Sequence, residues 1–406
     1  MNNVVVVGLG YVGLPIAISA AKSNYNVIGY DINNHKIQEL QSNKSFVPEV
    51  SSDQLKNLQN SGKIVFQETL PRLSGPAIWI IAVPTPLDTK NQPDLFFIKK
   101  ACEDIANNIS EGSLIVNEST SYIGTLRSLI KPTIDKISNL KNLKYAVAPE
   151  RIDPGNIKWG IHNTPRIISG LDNDSIQLAS NFYAKFSGPL HQTTTPEVAE
   201  AAKLFENTFR QINIALVNEL AQISSGYNIS THEVISAAAT KPFGFMPFYP
   251  SIGVGGHCIP VDPTYLSYSA EKVGIESQII LLANKVNRAA PAYTATKIVD
   301  FFKGNVSKKR IQFVGLAYKP NSSDTRESPA IELMEILNNL GAKVTWCDPL
   351  VRNFNNQKSV DLNPNNDLGL IITPHDVIDL KPWKNVKFPV LDLSANSKSF
   401  GWPKFF

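Results

Sequence analysis

The chain has 406 residues, 43% of them hydrophobic, and carries a formal net charge of only +4. That length exceeds one compact core, so two or three domains are expected, each with enough apolar surface to fold, and disorder as the main state is disfavoured. Acids and bases are interspersed rather than blocked, which argues against a nucleic-acid partner.

No apolar run approaches the roughly 20 residues that span a bilayer. Met1-Asn2-Asn3 leads straight into a valine run, without a basic leader or a small-residue cleavage site, so a cytoplasmic chain with no membrane contact is expected. Cys102, Cys258 and Cys347 are odd in number and far apart, as suits a reducing compartment rather than a disulfide framework.

In chain order, the periodicity predicts a strand over 4–7, a glycine turn over 8–13, a helix over 14–23 and a second strand over 27–31. Buried strands are expected over 64–66, 77–83, 113–116 and 145–147, separated by helix-length polar stretches. Strands alternating with helices predict a doubly wound parallel sheet. A 3.6-residue period then predicts one long helix over 197–227, apolar on more than one face and a plausible dimer element. Residues 241–263 are dense in Gly, Pro and aromatics, the composition of an irregular loop with a function. A further helical block is expected over 275–287. From Arg310 the opening pattern returns: Val314-Gly315-Leu316-Ala317-Tyr318 echoes Val7-Gly8-Leu9-Gly10-Tyr11, and Val344 to Asp348 echoes Val27 to Asp31. The fold expected is therefore α/β, with two Rossmann-like domains over 1–190 and 296–406 joined by a helical middle domain over 191–295.

Gly8-Leu9-Gly10-Tyr11-Val12-Gly13 follows a strand, opens a helix and is succeeded by Asp31 at the end of the next strand. In that context Gly8 permits the tight turn, Gly10 lets a pyrophosphate approach the backbone, Gly13 lets helix and strand pack closely, and the helix N-terminus faces the phosphates. Asp31 suits the ribose hydroxyls, and no arginine stands beside it, which favours NAD over NADP. Lys36 either contacts the adenosine end or is a solvated lysine. The second copy has Ala317 and Pro320 in place of the later glycines, so a dinucleotide is not expected there. Val83-Pro84-Thr85-Pro86 and Asn117-Glu118-Ser119-Thr120 end strands, where open α/β sheets bind ligands, with ordinary turn chemistry as the lesser alternative.

Gly255-Gly256-His257-Cys258-Ile259-Pro260-Val261-Asp262 sets a cysteine behind two glycines, with a carboxylate four residues on. A thiolate is a strong nucleophile once positive charge or hydrogen bonds lower its pKa. Cys102 and Cys347 read as buried apolar residues, and the role of His257 stays open. Lys203, Asn207 and Arg210 share one helix face, as a ligand site or as a solvated stripe pairing Lys203 with Glu206. Tyr318-Lys319 and Arg326 lie at the first turn of the second Rossmann-like unit, where they either grip a phosphate or form an N-cap with a surface ion pair.

Together these segments resemble the UDP-glucose/GDP-mannose dehydrogenase family over essentially the whole chain. The signatures occur in the family's order: the Gly8 to Gly13 turn, Val-Pro-Thr-Pro, Pro149-Glu150-Arg151, the Lys203/Asn207 helix, the Cys258 loop and Gly315-Leu316-Ala317-Tyr318-Lys319-Pro320. The resemblance implies an NAD-dependent four-electron oxidation of a UDP-sugar at C6, with Cys258 forming a thiohemiacetal and then a thioester. It implies that Lys203 and Asp262 manage proton and water, Asn207 stabilises an oxyanion, Glu150 serves hydrolysis and Thr120 lies near the nicotinamide. For the cofactor it implies Gly8, Gly10, Tyr11, Val12, Gly13, Asp31, Lys36, Pro84, Thr85 and Thr120. Around the substrate it implies Glu150, Arg151, Ile152, Lys203, Asn207, Arg210, Tyr249, Gly253, Gly255, Tyr318, Lys319 and Arg326.

Residues 241–250, and Glu150 to Gly155, are similar to those of bacterial enzymes acting on UDP-N-acetylhexosamines, which favours UDP-N-acetylglucosamine over UDP-N-acetylmannosamine or UDP-glucose. A homodimer or larger assembly is implied, and no metal. Two departures from the family pattern are Ser251-Ile252-Gly253 in place of Gly-Pro-Gly, and Ile123 in place of a proline. Competing readings are a two-electron NAD dehydrogenase, which needs no nucleophilic cysteine, and a non-catalytic NAD-binding protein.

Overall fold

Val4 to Val7 are all buried, because alternate residues of a strand point to opposite faces and here both faces are covered. Val4 and Val6 pack with Ile80, Val116 and the helix Gly13–Lys22. Val5 and Val7 pack with Trp79, Ile81, Ile115 and the helix Phe96–Ala106. Each fully buried valine contributes about 1.5–3 kcal/mol, which fixes this strand as the centre of its sheet.

The computed structural model describes residues 1–47, 49–153, 156, 158–256, 258–395 and 400–406; His257, Pro154 and Gly155 lie outside the described residues. The chain divides into two compact units, residues 1–206 with 268–273, and residues 207–267 with 274–406.

In the first unit the strands are β1 (Asn3–Val7), β2 (Asn26–Tyr30), β3 (Ile64–Gln67), β4 (Ile78–Ile81), β5 (Leu114–Asn117), β6 (Lys144–Val147), β7 (Arg166–Gly170) and β8 (Leu190–Gln192), in the order β3-β2-β1-β4-β5-β6-β7-β8. The first six reproduce the 3-2-1-4-5-6 order of the dinucleotide-binding fold, all parallel. β7 runs antiparallel to β6 and pairs in parallel with β8. Sequence periodicity misses these last two, since Arg166 and Gly170 bracket a short apolar core and β8 is Leu-His-Gln.

In the second unit β9 (Arg310–Val314), β10 (Lys343–Cys347), β13 (Leu368–Ile371) and β14 (Val390–Asp392) form a parallel sheet in the order β10-β9-β13-β14. A small hairpin, β11 (Asn353–Phe354) with β12 (Gln357–Lys358), stands apart from it. The internal repeat is structural: Asn3 pairs with Asn26 at the start of β1 and β2, as Arg310 pairs with Lys343 at the start of β9 and β10. Gly8 and Gly315 both take positive φ, where a Cβ would strike the carbonyl oxygen of Ala82 or Thr373. There the copies diverge. After Gly8 a helix begins at Gly13, whereas after Gly315 none begins until Pro329.

The long helix spans Pro196–Gly226, within a residue of expectation at each end. The later helix runs Gln278–Phe301, well beyond the expected 275–287 and straight through Pro291. Buried side-chain bonds explain why a proline does not end it: Gln211 donates to Asn284, Asn218 to Asn287, and Asn287 to the Gln211 carbonyl. Residues 241–256 and 258–261 are irregular, before the helix Asp262–Glu271. Among the described residues no helix is long and apolar enough to cross a membrane.

Candidate active site

The turn after β1 is built to admit a phosphate. A Cβ on Gly13 would sit 1.8 Å from the Gly8 carbonyl oxygen, so the helix approaches the strand as closely as glycine permits, while a Cβ on Gly10 would meet nothing within 4 Å. Space is therefore open at Gly10, and no side chain caps the helix Gly13–Lys22 at Val12. An uncapped helix start beside open backbone suits an anion. Asp31 accepts N–H bonds from Leu9 (3.0 Å) and Asn33 (2.9 Å), which hold its carboxylate at the end of β2. Lys36 Nζ stands 3.5 Å from that carboxylate and over the Phe46 ring. The cradle, the uncapped helix and the fixed acid all fit a dinucleotide.

The second copy uses the same acid differently. Asp348 is fully buried and accepts from the N–H groups of Leu316, Ala317, Leu350 and Val351, with His375 Nε2 at 3.0 Å. Its acceptor capacity is consumed by the turn itself, so it has none to offer a ribose. Asp348 thus differs from Asp31 in its bonding as well as in the lost glycines around it.

Beyond β4 and β5, Ser119 ties two candidate loops together. Its hydroxyl accepts from the Val83 N–H and donates to the Val83 carbonyl, both at 2.9 Å, which sets Pro84 and Thr85 beside the segment bearing Thr120. Ile123, standing where the family has proline, uses the N–H that proline would lack to donate to Ser269. Glu200, buried on the long helix, accepts from the Gly124 N–H at 2.5 Å and the Leu126 N–H at 3.0 Å. Burial pushes its carboxyl up to about 7, against those two bonds.

Glu150 follows β6 and is held from three sides: Arg151 and Ile152 N–H donate to Oε1 at 2.6 and 2.8 Å, and Arg166 donates to Oε2 at 2.6 Å. Burial alone would raise its pKa, but the Arg166 charge and the backbone donors hold it below the ordinary carboxylate range. Arg151 is committed to Glu206 through Nε (3.0 Å) and NH2 (2.5 Å), and to the Pro165 carbonyl. Glu206 therefore pairs with Arg151 rather than with Lys203 of its own helix. Half-buried Lys203 has no ion-pair partner among the described residues.

In the second unit Asn207, Asp262 and Cys258 form a chain. Asn207 Nδ2 donates to Asp262 Oδ2 at 2.6 Å, and the Asp262 N–H donates to the Cys258 carbonyl at 2.8 Å. Asp262 is buried and opens its helix, while Cys258 is half-buried. The preceding glycines are required by packing: a Cβ on Gly255 would lie 2.7 Å from Tyr318 Cβ, and one on Gly256, at φ +80°, 2.7 Å from the Tyr318 ring. The Gly256 N–H donates to the Arg326 carbonyl, so the cysteine loop lies against the segment carrying Tyr318, Lys319 and Arg326. Arg326 is exposed and gripped by Asp324 through Nε and NH2, and Lys319 lies over the Tyr318 ring. Ser251-Ile252-Gly253 keeps its loop fixed by other means: Ile252 is buried in the core, Ser251 donates to the Gly253 carbonyl, and Asn218 accepts from the Ser251 N–H. Tyr249 is half-buried and stacks on His232, and Arg210 is exposed.

Sequence reasoning misses Arg166 and Tyr183, and it names Glu118 only within the segment that ends β5; the three form one cluster with Glu150. Arg166 bonds both Glu118 oxygens (2.8 and 2.7 Å), and Tyr183 donates to Glu118. The available signal was a charge at each end of a buried strand run, Glu118 after β5 and Arg166 opening β7. Among the described residues no cluster of His, Cys, Asp and Glu could hold a metal.

Comparison with known proteins extends the geometry. Residues 2–187 match the NAD binding domain of the UDP-glucose/GDP-mannose dehydrogenase family, 197–289 its central domain and 312–392 its UDP binding domain. The chain is 36% identical over 355 residues to a UDP-N-acetyl-D-glucosamine 6-dehydrogenase of Pseudomonas aeruginosa, covering 86% of this chain and 83% of that one. It is 35% identical over 395 residues to a UDP-N-acetyl-D-mannosamine dehydrogenase of Pyrococcus horikoshii, covering 94% and 92%. A solved Pyrococcus horikoshii UDP-ManNAc dehydrogenase superposes with a TM-score of 0.87 at 32% identity, over 98% of this chain and 97% of that one. With the NAD cradle, the cysteine loop and all three family domains in one chain, this protein belongs to the UDP-glucose/GDP-mannose dehydrogenase family, as an NAD-dependent oxidoreductase of UDP-linked sugars.

Proposed function

We propose that the chain oxidises UDP-N-acetylglucosamine at C6 to the uronic acid, a four-electron reaction passing through a covalent adduct on Cys258, for cell-surface polysaccharide synthesis. The observation that supports this most directly is the Asn207–Asp262–Cys258 chain, set against the Tyr318 segment by glycines that tolerate no side chain. A two-electron dehydrogenase has no need of a cysteine in such a loop.

NAD, when bound in the Gly8 to Gly13 cradle, supplies the hydride acceptor. The remaining chemistry falls to side chains. The Cys258 thiolate adds to the C6 aldehyde to give a thiohemiacetal, whose oxidation yields a thioester; this capture keeps the aldehyde from escaping between steps. Asn207, oriented by Asp262, offers its amide to the adduct oxyanion, and a cationic Lys203 stabilises both thiolate and oxyanion. Asp262 and Lys203 handle the alcohol proton, and Glu150 serves the water that cleaves the thioester. Thr120 stands near the nicotinamide, with Pro84 and Thr85 on the cofactor. Arg151, Ile152, Arg210, Tyr249, Gly253, Gly255, Tyr318, Lys319 and Arg326 contact the UDP-sugar. In this division residues 1–190 hold NAD, 191–295 carry the cysteine loop and the subunit contact, and 296–406 hold UDP, all in the cytoplasm.

A second sugar stays in view because a relative of comparable similarity is a UDP-N-acetyl-D-mannosamine dehydrogenase. A panel of UDP-sugars decides. The expected result is two NADH per UDP-N-acetylglucosamine, with slower turnover of UDP-N-acetylmannosamine and UDP-glucose. Cys258→Ser is expected to bind NAD and UDP-sugar yet form no uronic acid, and normal turnover by it would refute the covalent route.

A further inference from the structure

Arg166 opens β7, yet only 4% of its side chain is exposed. Each of its three side-chain nitrogens donates. NH1 bonds Glu118 Oε1 and Oε2 at 2.8 and 2.7 Å and the Ala148 carbonyl at 3.3 Å, NH2 bonds Glu150 Oε2 at 2.6 Å, and Nε bonds Ser187 Oγ at 3.1 Å. The guanidinium lies 4.7 Å from the centroid of the Tyr183 ring, whose hydroxyl donates to Glu118. One guanidinium thus faces two carboxylates. Of these, Glu118 is fully enclosed, whereas Glu150 is 13% exposed. A buried charge cluster is a poor source of stability and a good source of orientation. Three acceptor positions of Glu150 are occupied by Arg166 and by the Arg151 and Ile152 N–H groups, which leaves the carboxylate one direction in which to accept.

We propose that Arg166 is a positioning residue for the hydrolytic step: braced by Glu118 and Tyr183, it holds the Glu150 carboxylate ionised and in one orientation toward the attacking water. The inference rests on the reading of Glu150 as the hydrolytic carboxylate. In that step the water oxygen bonds to the thioester carbon, the C–S bond breaks, its electron pair stays on the Cys258 sulfur, and the two water protons leave to solvent. Glu150 accepts the hydrogen bond that orients the water. Burial together with repulsion from Glu150 pushes the Glu118 carboxyl upward despite Arg166, so negative charges on Glu118 and Glu150 oppose each other across the shared guanidinium.

The test uses the full chain with UDP-N-acetylglucosamine and NAD. It reads kcat, KM, the mass of protein quenched in turnover, and the pH dependence of adduct decay. Arg166→Met is expected to lower kcat by about tenfold or more, as loss of acid–base positioning does, with KM for the UDP-sugar changed by less than about threefold. Acylated Cys258 should accumulate in it as in Glu150→Gln, and Arg166→Lys should restore part of the rate. If Glu150→Gln clears its adduct at the wild-type rate, the reading of Glu150 fails and takes the inference with it. If Glu150→Gln stalls while Arg166→Met clears normally, the inference alone is overturned. Should Arg166→Met not fold, the near-isosteric Glu118→Gln decides: with the competing carboxylate gone, the acid limb of adduct decay should move to lower pH. A limb that stays in place or moves up overturns the proposal.

Discussion

Single residues carry separable jobs in the nucleotide turn, and two alanine substitutions tell them apart. At Gly13 a methyl group would collide with the Gly8 carbonyl, whereas at Gly10 it would enter open space. Gly13→Ala is therefore expected to cost about 1–3 kcal/mol of stability by overpacking and to abolish NAD binding. Gly10→Ala should leave the melting temperature unchanged yet raise the NAD Kd about tenfold or more, some 1.4 kcal/mol, because only the ligand meets the methyl. Calorimetric titration and thermal melting of both variants check this; a Gly10→Ala protein that binds NAD normally would mean that the pyrophosphate lies elsewhere. The three cysteines separate in the same way. Burial pushes the Cys102 thiol up to about 12 and the Cys347 thiol up to about 11, so neither supplies thiolate near neutrality. Brief iodoacetamide treatment at pH 7.5 is expected to label Cys258 first, read by peptide mass, and prior labelling of either other cysteine would contradict the assignment.

At the level of elements, the segment after β5 depends on a carboxylate borrowed from the long helix Pro196–Gly226. Glu200 accepts from the Gly124 and Leu126 N–H groups, but its folded pKa is raised to about 7 by burial. A raised carboxyl favours the protonated form in the fold. Its contribution to stability is full below the unfolded value near 4.5 and is lost as pH rises toward 7. Glu200→Gln keeps a carbonyl acceptor and removes the titration, so its stability relative to the wild type should improve between pH 5 and pH 8 by about 1–3 kcal/mol. Denaturant melts of both proteins at the two pH values measure this, and a gap that is constant or reversed would refute the assignment. The later helix, Gln278–Phe301, teaches a different lesson. Pro291 is locally a stop signal, and it is overridden by the buried amide bonds of Gln211, Asn218, Asn284 and Asn287.

For the molecule as a whole, the exposed apolar residues of the long helix bear on assembly. Phe209, Leu216 and Ile223 recur at intervals of seven, with Leu216 61% and Ile223 53% exposed, and Ile279 and Leu282 of the later helix are also exposed. A stripe of this kind usually marks a protein interface. The proposed homodimer predicts that Leu216→Asp with Ile223→Asp elutes in gel filtration as a monomer at concentrations where the wild type does not. Unchanged elution would place any subunit contact on another face.

What the sequence by itself determined was whatever depends on short-range pattern: the glycine turn with its acid, the continuous valine run of β1, the long helix, and the repeat at Arg310 that forms β9 and β10. Each is written within a few turns of chain, where sterics and burial leave little choice. Tertiary structure alone decided which partner each charge takes. Lys203 and Glu206 sit at helical spacing, yet Glu206 pairs with Arg151, and of the two readings open for Arg326, a phosphate grip or a surface ion pair, the fold shows the ion pair with Asp324. Asp31 and Asp348 occupy equivalent positions, but only the fold shows Asp348 saturated by its own turn. Arg166 reaches Glu118 across 48 residues and Glu150 across 16. Charge pairing acts through space and is insensitive to separation along the chain, so no local pattern encodes it, whereas strand and helix periodicity is set by immediate neighbours.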